Sequence, residues 1–192
     1  LPVFRWEQAR SVWARADELG FHGAYTYDHL SWRDFRDGPW FGAVPTLAAA
    51  ATVTSRIRLG TLVTSANFRH PVTLAKDLMT LDDMSGGRMT VGIGAGTTGF
   101  DASVLGLPAL SAPGRASRFE EFVRLLDVLL REPMTTWSGE YFAAHEAAMH
   151  PGSVQRPRVP FAIAAKGPRG TGLVARYADA WVTTGRGEVS PE

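Results

Sequence analysis

The sequence predicts a parallel α/β fold, in which strands alternate with helices along the chain. Short β-branched or apolar runs recur between amphipathic stretches, and glycine or proline stands at most of the boundaries. The run from Leu59 to Thr64 is almost wholly apolar, as expected for a strand buried on both faces of a parallel sheet. This alternation is typical of right-handed βαβ units.

Five segments have the composition of strands. Each is short, and each leads into a stretch that contains glycine, proline or charged residues. The predicted strands are 22–27, 56–64, 89–95, 161–165 and 180–184.

Helices are predicted between these strands, each with a start or stop signal. Apolar residues from Trp6 to Leu19 recur at spacings of three and four and stop at Gly20, a typical C-cap. Ser117 and Glu120 have the spacing of a capping box. Proline favours the first turn of a helix, and it marks the other predicted starts, near Pro45, at Pro71 and at Pro168.

The composition argues against several classes of protein. The 192 residues carry a net charge of +1 from scattered side chains, so we expect no nucleic-acid partner. Cysteine is absent, which excludes disulfides, thiolate catalysis and thiolate metal sites. The sequence has no run of about eighteen apolar residues, so we expect no membrane partner and a cytoplasmic location.

We expect one domain over residues 1–192, and the pattern alone leaves an open, doubly wound sheet and a closed barrel as alternatives. An eight-stranded barrel takes about 250 residues as a rule. A barrel would therefore be a fragment, and the start without methionine favours this interpretation. Residues 133–160 contain several glycines and prolines and are expected to form a loop excursion with weak structure.

Ligands of parallel α/β folds bind at the C-terminal ends of the strands, where the first predicted strand ends in Asp28-His29. An acid beside an imidazole could handle a proton near neutral pH. Such a pair at a strand end is also often a helix cap or a turn former. The next strand end, from Thr61 to Ser65, carries small hydroxyls and apolar residues but no acid or base.

The third predicted strand leads into a GxGxxG pattern from Gly94 to Gly99. A dinucleotide fold requires a helix to start at these glycines, whereas Gly106, Pro108 and Pro113 interrupt the residues that follow. We therefore disfavour that fold. The glycines could let a planar ring approach the backbone, or they could serve tight packing in a barrel interior.

The fourth predicted strand is followed by Ala165-Lys166-Gly167-Pro168-Arg169, a turn with two cations at a helix start. Backbone N–H groups and the helix dipole favour an anion there, so a cofactor phosphate and an exposed basic turn are the two interpretations. His70, His145 and His150 are dispersed without metal-ligand spacing, so we expect no metal site.

Several segments together have a specific order and spacing that spans most of the chain. They are Ala16-Asp17-Glu18-Leu19-Gly20-Phe21, Tyr27-Asp28-His29, Arg58-Leu59-Gly60-Thr61, Arg69-His70-Pro71, the stretch from Leu81 to Arg88, Val91-Gly92-Ile93-Gly94-Ala95-Gly96 and the stretch from Ala175 to Trp181. In this combination the sequence resembles the luciferase-like monooxygenase family, which comprises flavin- and coenzyme F420-dependent oxidoreductases.

The resemblance implies a TIM (β/α)8 barrel whose first strand and last two strands are partly or wholly absent from this chain. It implies that a flavin or deazaflavin ring packs on a bulge in the barrel's third strand, often at a non-prolyl cis peptide bond, which would fall near Leu62-Val63. His29 would then lie over the ring as proton donor or substrate binder, with Asp28 orienting it and Trp32 lining the substrate pocket. The implied cofactor-binding residues are Thr61, Leu62, Val63, Ala95, Gly96, Thr97, Ala165, Lys166, Gly167, Pro168 and Arg169, the last four at the phosphate.

The implied function is hydride transfer between reduced coenzyme F420 and a small organic substrate. Coenzyme F420 is favoured over FMN because Asp28-His29 followed by Trp32 resembles the deazaflavin branch of the family. The alternatives are an FMN-dependent monooxygenase and a non-catalytic flavin-binding relative. Relatives commonly dimerise, so the resemblance also leaves a homodimer open.

Overall fold

The computed structural model describes residues 2–30, 32, 35–99 and 101–183. Its helices are α1 (Trp6–Glu18), α2 (Ala43–Val53), α3 (Pro71–Met84), α4 (Ala112–Arg131) and α5 (Gly167–Tyr177). Its strands are β1 (Gly23–Thr26), β2 (Arg58–Ser65), β3 (Met89–Gly94), β4 (Met134–Ser138), β5 (Ala143–Ala148), β6 (Phe161–Ala164) and β7 (Ala180–Val182).

Five of these strands form a parallel sheet in the order β1-β2-β3-β6-β7. The parallel α/β prediction is therefore confirmed. Within this sheet the strands lie side by side in the order in which they occur along the chain. The order therefore never reverses, as it does in a doubly wound sheet. Parallel strands that follow one another in chain order are typical of a (β/α)8 barrel.

The core lies between the sheet and the helices that cover its outer face. β3 is buried at every position, as expected for a central parallel strand. Leu78 of α3, Phe122 of α4 and Phe161 of β6 are almost completely buried in the same apolar cluster. This core fixes the strands whose C-terminal ends carry the site.

Asp17 holds the end of α1 against the start of β2. Its carboxylate accepts hydrogen bonds from the backbone N–H groups of Ser55, Arg56 and Ile57 at 3.0, 2.9 and 2.6 Å. Burial by itself would raise the pKa of Asp17, but these backbone hydrogen bonds outweigh it and hold the pKa far below its ordinary value. The carboxylate is therefore a charged structural link between two elements.

The expectation of weak structure over residues 133–160 is wrong in part. β4 and β5 pair there as an antiparallel hairpin. The carboxylate of Glu121, on α4, accepts hydrogen bonds from the backbone N–H groups of Glu140, Tyr141 and Phe142 at 3.0 to 3.1 Å. β5 is rich in alanine, which has low β propensity, so its strand form depends on tertiary contacts that its composition does not reveal.

The predicted capping box at Ser117 and Glu120 is also wrong. α4 begins at Ala112, and the Oγ of Ser111 caps it by accepting a hydrogen bond from the N–H of Gly114. Pro113 lies in the first turn, where proline needs no hydrogen-bond partner, so it starts this helix and does not interrupt the chain.

The other predicted elements agree with the structure to within about two residues, the usual uncertainty of element ends. Gly20 has a φ of +77° and follows α1 as the predicted C-cap glycine. The last strand was predicted to reach Thr184, which lies outside the described residues, as does Leu1.

Candidate functional site

A mainly apolar cleft of about 960 Å³ opens at the C-terminal ends of the parallel strands. This is the edge at which ligands of parallel α/β folds bind. Pockets for small molecules and cofactors measure about 300 to 1,000 Å³, so the cleft has room for a tricyclic ring. It is lined by Tyr27, His29, Trp32, Leu62, Val63, Ser65, Asn67, Gly94, Ala95, Gly96, Thr97, Thr98, Gly99, Asp101, Ala116, Phe119, Glu120, Ala164, Ala165, Lys166, Arg169, Gly170, Leu173 and Val182.

One wall of the cleft is a bulge in β2. The register between β2 and β3 shifts between Thr61 and Thr64. The peptide bond between Leu62 and Val63 is cis, and both residues line the cleft. The bulge and the non-prolyl cis peptide bond thus lie where the family resemblance predicted them.

Glycines at the end of β3 and just after it make room for this bulge. A Cβ on Gly94 would lie 2.9 Å from Cγ2 of Val63. Gly96 has a φ of +74°, and a Cβ there would lie 2.4 Å from Oγ of Ser65. Both positions need glycine for the close packing of the wall itself, which supports the packing interpretation.

The dinucleotide-fold pattern does not have its structural context. β3 ends at Gly94, and the next helix begins at Ala112. The described residues between them form turns, bends and irregular backbone, with no helix among them. A helix that starts at the glycines is the feature on which the pattern depends, so its rejection is confirmed.

His29 lies in the loop after β1 and is held by a carboxylate that the sequence analysis did not single out. Its Nδ1 is hydrogen-bonded to Oδ2 of Asp101, and Oδ1 of the same carboxylate accepts a hydrogen bond from the backbone N–H of Leu30 at 2.8 Å. The side chains of His29 and Asp101 are 17% and 6% exposed. The pair is therefore mostly buried at the edge of the cleft.

Asp28 faces away from the imidazole that it was expected to orient. Its carboxylate accepts hydrogen bonds from Oγ1 of Thr64 at 2.8 Å and from Nε and a terminal nitrogen of Arg69 at 3.0 and 2.7 Å. Burial alone would lower the pKa of Arg69, but the hydrogen bonds and charge of Asp28, with the charge of Asp77, raise it. Asp28 is thus a buried partner of Arg69, and its predicted role toward His29 is wrong.

Two tryptophans fix the surroundings of His29. The ring of Trp32 stacks on the imidazole with a centroid distance of 4.2 Å and an interplanar angle of 29°. Nε1 of Trp40 donates a hydrogen bond to the carbonyl oxygen of His29 at 2.7 Å. Trp32 lines the cleft.

Asn67 holds the glycine-rich loop after β3. Its Nδ2 donates a hydrogen bond to the carbonyl oxygen of Thr97 at 2.9 Å, and its Oδ1 accepts one from the guanidinium of Arg118. Burial lowers the pKa of Arg118. Asn67 therefore connects the end of β2, the loop and α4 at the rim of the cleft.

The predicted phosphate position lies at the start of α5. Lys166 is the N-cap residue of that helix and lines the cleft together with Arg169. The guanidinium of Arg169 donates hydrogen bonds to Glu120 at 2.8 and 3.1 Å and to Oγ of Ser117 at 3.2 Å. The pair of Arg169 and Glu120 is exposed, so its strength is limited by solvent.

Most of the predicted site residues lie around one cleft, but four lie outside its lining. Those that line it are His29, Trp32, Leu62, Val63, Ala95, Gly96, Thr97, Ala165, Lys166 and Arg169. Those outside it are Asp28, Thr61, Gly167 and Pro168. The hydroxyl of Thr61 donates a hydrogen bond to the carbonyl oxygen of Gly92 inside the sheet, at 2.9 Å.

The sequence analysis missed Asp101, Asn67, Tyr27 and Glu120. A signal existed for Asp101, because an acid that follows a strand end within several residues is placed at the ligand-binding edge. Asn67 comes two residues after the end of β2, so its position also marked it as a polar side chain at the ligand-binding edge. Glu120 had none, since its helical position is set by a packing angle that the sequence does not show.

The fold and the cleft together define a barrel-type protein with a cleft of ligand size at the C-terminal ends of its strands. The model of the luciferase-like monooxygenase family matches residues 2–190. The chain therefore belongs to the luciferase-like monooxygenase family, and its fold is that of the family's TIM barrels, with five barrel strands in the described residues.

The relatives and solved structures that the chain resembles include dehydrogenases and a monooxygenase. The chain is 36% identical over 177 residues to an F420-dependent glucose-6-phosphate dehydrogenase of Beutenbergia cavernae, covering 90% of this chain and 51% of the relative. The monooxygenase RslO1 from Streptomyces bottropensis is 32% identical with a TM-score of 0.78, covering 89% of this chain and 51% of that one. An F420-dependent secondary alcohol dehydrogenase, in complex with an F420-acetone adduct, is 26% identical with a TM-score of 0.82, covering 93% and 54%.

The chain spans about half the length of the curated relatives that it matches. None of the described helices is both long and apolar enough to cross a bilayer. Among the described residues, no three or more histidine, aspartate or glutamate side chains come together in a way that could hold a metal ion.

The residues of the cleft fit a flavin-type cofactor. Small side chains at Gly94, Ala95, Gly96 and Ala165 leave a shallow apolar surface beside the bulge, as a flat ring requires. The start of α5 has no side-chain cap and lies beside Lys166, so its first backbone N–H groups and this cation fit a phosphate.

Proposed function

We propose that the protein is a coenzyme F420-dependent oxidoreductase that moves a hydride between the cofactor and a small organic substrate. One observation carries the proposal: the stack of His29 and Trp32 and the bulge at Leu62-Val63 line the same apolar cleft. A planar ring and a titratable group can therefore meet in one mainly apolar cleft.

The relatives support coenzyme F420 as the cofactor. The Beutenbergia cavernae relative is named as an F420-dependent dehydrogenase, and the secondary alcohol dehydrogenase is an F420-dependent enzyme. Both names describe oxidoreductases of small organic molecules, which is the chemistry that we propose for this cleft.

Coenzyme F420 supplies or accepts a hydride when it is bound. The residues of this chain would bind, orient and move a proton. His29 would give a proton to the substrate oxygen, or take it, because an imidazole can do both near neutral pH. Lys166 and Arg169 would hold the cofactor phosphate with the first N–H groups of α5. Trp32 would keep the imidazole in a single plane and shield it from water.

An FMN-dependent monooxygenase is the second candidate. Likeness to the RslO1 monooxygenase favours it. The same cleft would hold either ring, so the two candidates differ in the cofactor that binds and in the use of oxygen.

A parallel titration of the purified full-length protein with coenzyme F420 and with FMN tests the choice. Ala116 lines the cleft from α4, whereas Ala112 begins the same helix, is exposed and lies outside the lining. Ala116→Trp should abolish cofactor binding by filling the cleft, and the matched control Ala112→Trp should bind as the wild type does.

Micromolar binding of coenzyme F420, lost in Ala116→Trp alone, supports the proposal. Binding of FMN without coenzyme F420 would overturn it in favour of the monooxygenase. Binding of neither would overturn both candidates, and equal binding by both tryptophan variants would place the cofactor elsewhere.

A further inference from the structure

Several residues from different parts of the chain contact His29, although it lies in a loop. Asp101 binds its ring, Trp32 covers one ring face, and Trp40 binds its carbonyl oxygen. Asp101 also binds the backbone N–H of the next residue, Leu30. Such contacts from several elements are typical of a side chain whose orientation matters to function.

Asp101 reaches His29 across 72 residues of sequence. It stands on the loop after β3, whose earlier residues Gly96 and Thr97 line the cleft. Both of its carboxylate oxygens are used on the segment after β1. One buried side chain thus ties together the two loops that flank the cleft.

The contact to Nδ1 determines which tautomer the neutral ring adopts. An ionised carboxylate only accepts hydrogen bonds, so Nδ1 must carry the proton. Nε2 is then the nitrogen with a lone pair, and it is the ring nitrogen that can meet a molecule in the cleft. Without the carboxylate, either nitrogen could carry the proton.

We propose that Asp101 is the positioning residue of His29: it fixes the ring as the Nδ1–H tautomer and presents Nε2 to the substrate. The role of Nε2 in turnover rests on the proposed function, whereas the tautomer is a property of the protein alone. The carboxylate next to His29 in the sequence, Asp28, takes no part, because it binds Arg69 and Thr64.

The tautomer can be measured without any cofactor or substrate. In full-length protein labelled with ¹⁵N-histidine, the ring ¹⁵N shifts at a pH where the imidazole is neutral show which nitrogen bears the proton. His29→Gln assigns the signals. We expect the Nδ1–H form in the wild type, a mixture of both forms in Asp101→Ala, and return of the Nδ1–H form in Asp101→Glu. Asp37→Asn, an exposed acid outside the cleft lining, is the control and should match the wild type.

Turnover gives the second readout. Asp101→Asn should lower kcat by about tenfold to a hundredfold, the usual effect of removing such a supporting partner, with cofactor Kd changed little. In a His29→Gln background, Asp101→Asn should lower kcat hardly any further, because a positioning residue acts through the group that it positions. A residue needed only for folding would lower kcat in both backgrounds.

An Nε2–H tautomer in the wild type, an unchanged tautomer in Asp101→Ala, or equal losses of kcat in both backgrounds would each overturn the proposal. If the wild type shows no turnover with coenzyme F420, the proposed function fails while the ¹⁵N measurement still decides the role of Asp101. Should Asp101→Ala not fold, Asp101→Asn replaces it in the ¹⁵N experiment, since the neutral amide no longer requires a proton on Nδ1.

Discussion

At the scale of single residues, the site depends on where side chains point at the end of a strand. Neighbouring residues of an extended chain point in opposite directions. Asp28 therefore turns inward to Arg69 while His29 turns to the cleft rim. Sequence neighbours at a strand end make poor catalytic partners for this reason, and the partner comes from another loop.

His29→Gln tests the proton-transfer role. We expect kcat to fall by about a hundredfold or more, because general acid–base catalysis contributes on this order, while cofactor Kd stays nearly the same. His145→Gln is the control, since His145 is exposed on β5 outside the cleft lining. Steady-state kinetics with a cofactor titration would measure both quantities. Unchanged kcat in His29→Gln would remove this residue from the mechanism.

A double substitution at Lys166 and Arg169 tests whether the cofactor phosphate binds at the start of α5. Replacing both by alanine should weaken a phosphorylated cofactor by at least about tenfold, since one charge-assisted hydrogen bond contributes about 1.5 to 3 kcal/mol. The phosphate-free analogue should lose little affinity. Arg176→Gln, at the exposed end of the same helix, is the control. Equal losses for both ligands would place the phosphate elsewhere.

At the scale of elements, two carboxylates attach helices to neighbouring segments of the fold. Asp17 connects α1 with β2, and Glu121 connects α4 with the β4–β5 hairpin. Each carboxylate satisfies several backbone N–H groups that the fold leaves without a strand partner. Removing one therefore leaves several donors unpaired at once.

Asp17→Ala should lower the free energy of unfolding by about 2 to 4 kcal/mol at neutral pH, because it leaves the buried N–H group of Ile57 and the partly buried ones of Ser55 and Arg56 without their acceptor. The pKa of Asp17 is depressed in the folded state, so its contribution is complete above the ordinary pKa of 3.8 and is lost as the pH falls below it. Urea denaturation at neutral and acidic pH should show the difference from wild type shrinking in acid.

Glu18→Ala is the matched control for this experiment. Glu18 is the next residue on α1, and its side chain is 64% exposed in an ion pair with Arg15. Exposed pairs contribute about 0 to 1 kcal/mol. Two results would contradict the role given to Asp17. One is a decrease in the free energy of unfolding for Glu18→Ala as large as that for Asp17→Ala. The other is a difference between Asp17→Ala and the wild type that grows in acid.

At the scale of the whole molecule, the fold was largely predictable and the site only in part. Alternating apolar runs and well-placed glycines such as Gly20 give the strand and helix order directly. The hairpin was not predictable, because one of its strands is rich in alanine and the residues just before that strand are held by Glu121, which lies on another element.

The site was predictable where family motifs mark strand ends and not where loops meet. Each of these features lies at a single strand end: His29 and Trp32 follow β1, and the bulge at Leu62-Val63 lies near the end of β2. Asp101 and His29 meet only after the sheet brings two loops together, so periodicity and spacing cannot reveal the pair. The single domain, the homodimer and the cytoplasmic location stay predictions.

The most direct test of the central claim is an anaerobic assay of hydride transfer by the purified full-length protein. Reduced coenzyme F420 would be mixed with carbonyl compounds, and the oxidised cofactor with secondary alcohols and sugar phosphates, while cofactor absorbance is followed. We predict cofactor turnover without oxygen, lost in Ala116→Trp and retained in Ala112→Trp. Oxygen consumption with reduced FMN, together with no turnover of coenzyme F420 under any of these conditions, would contradict the account.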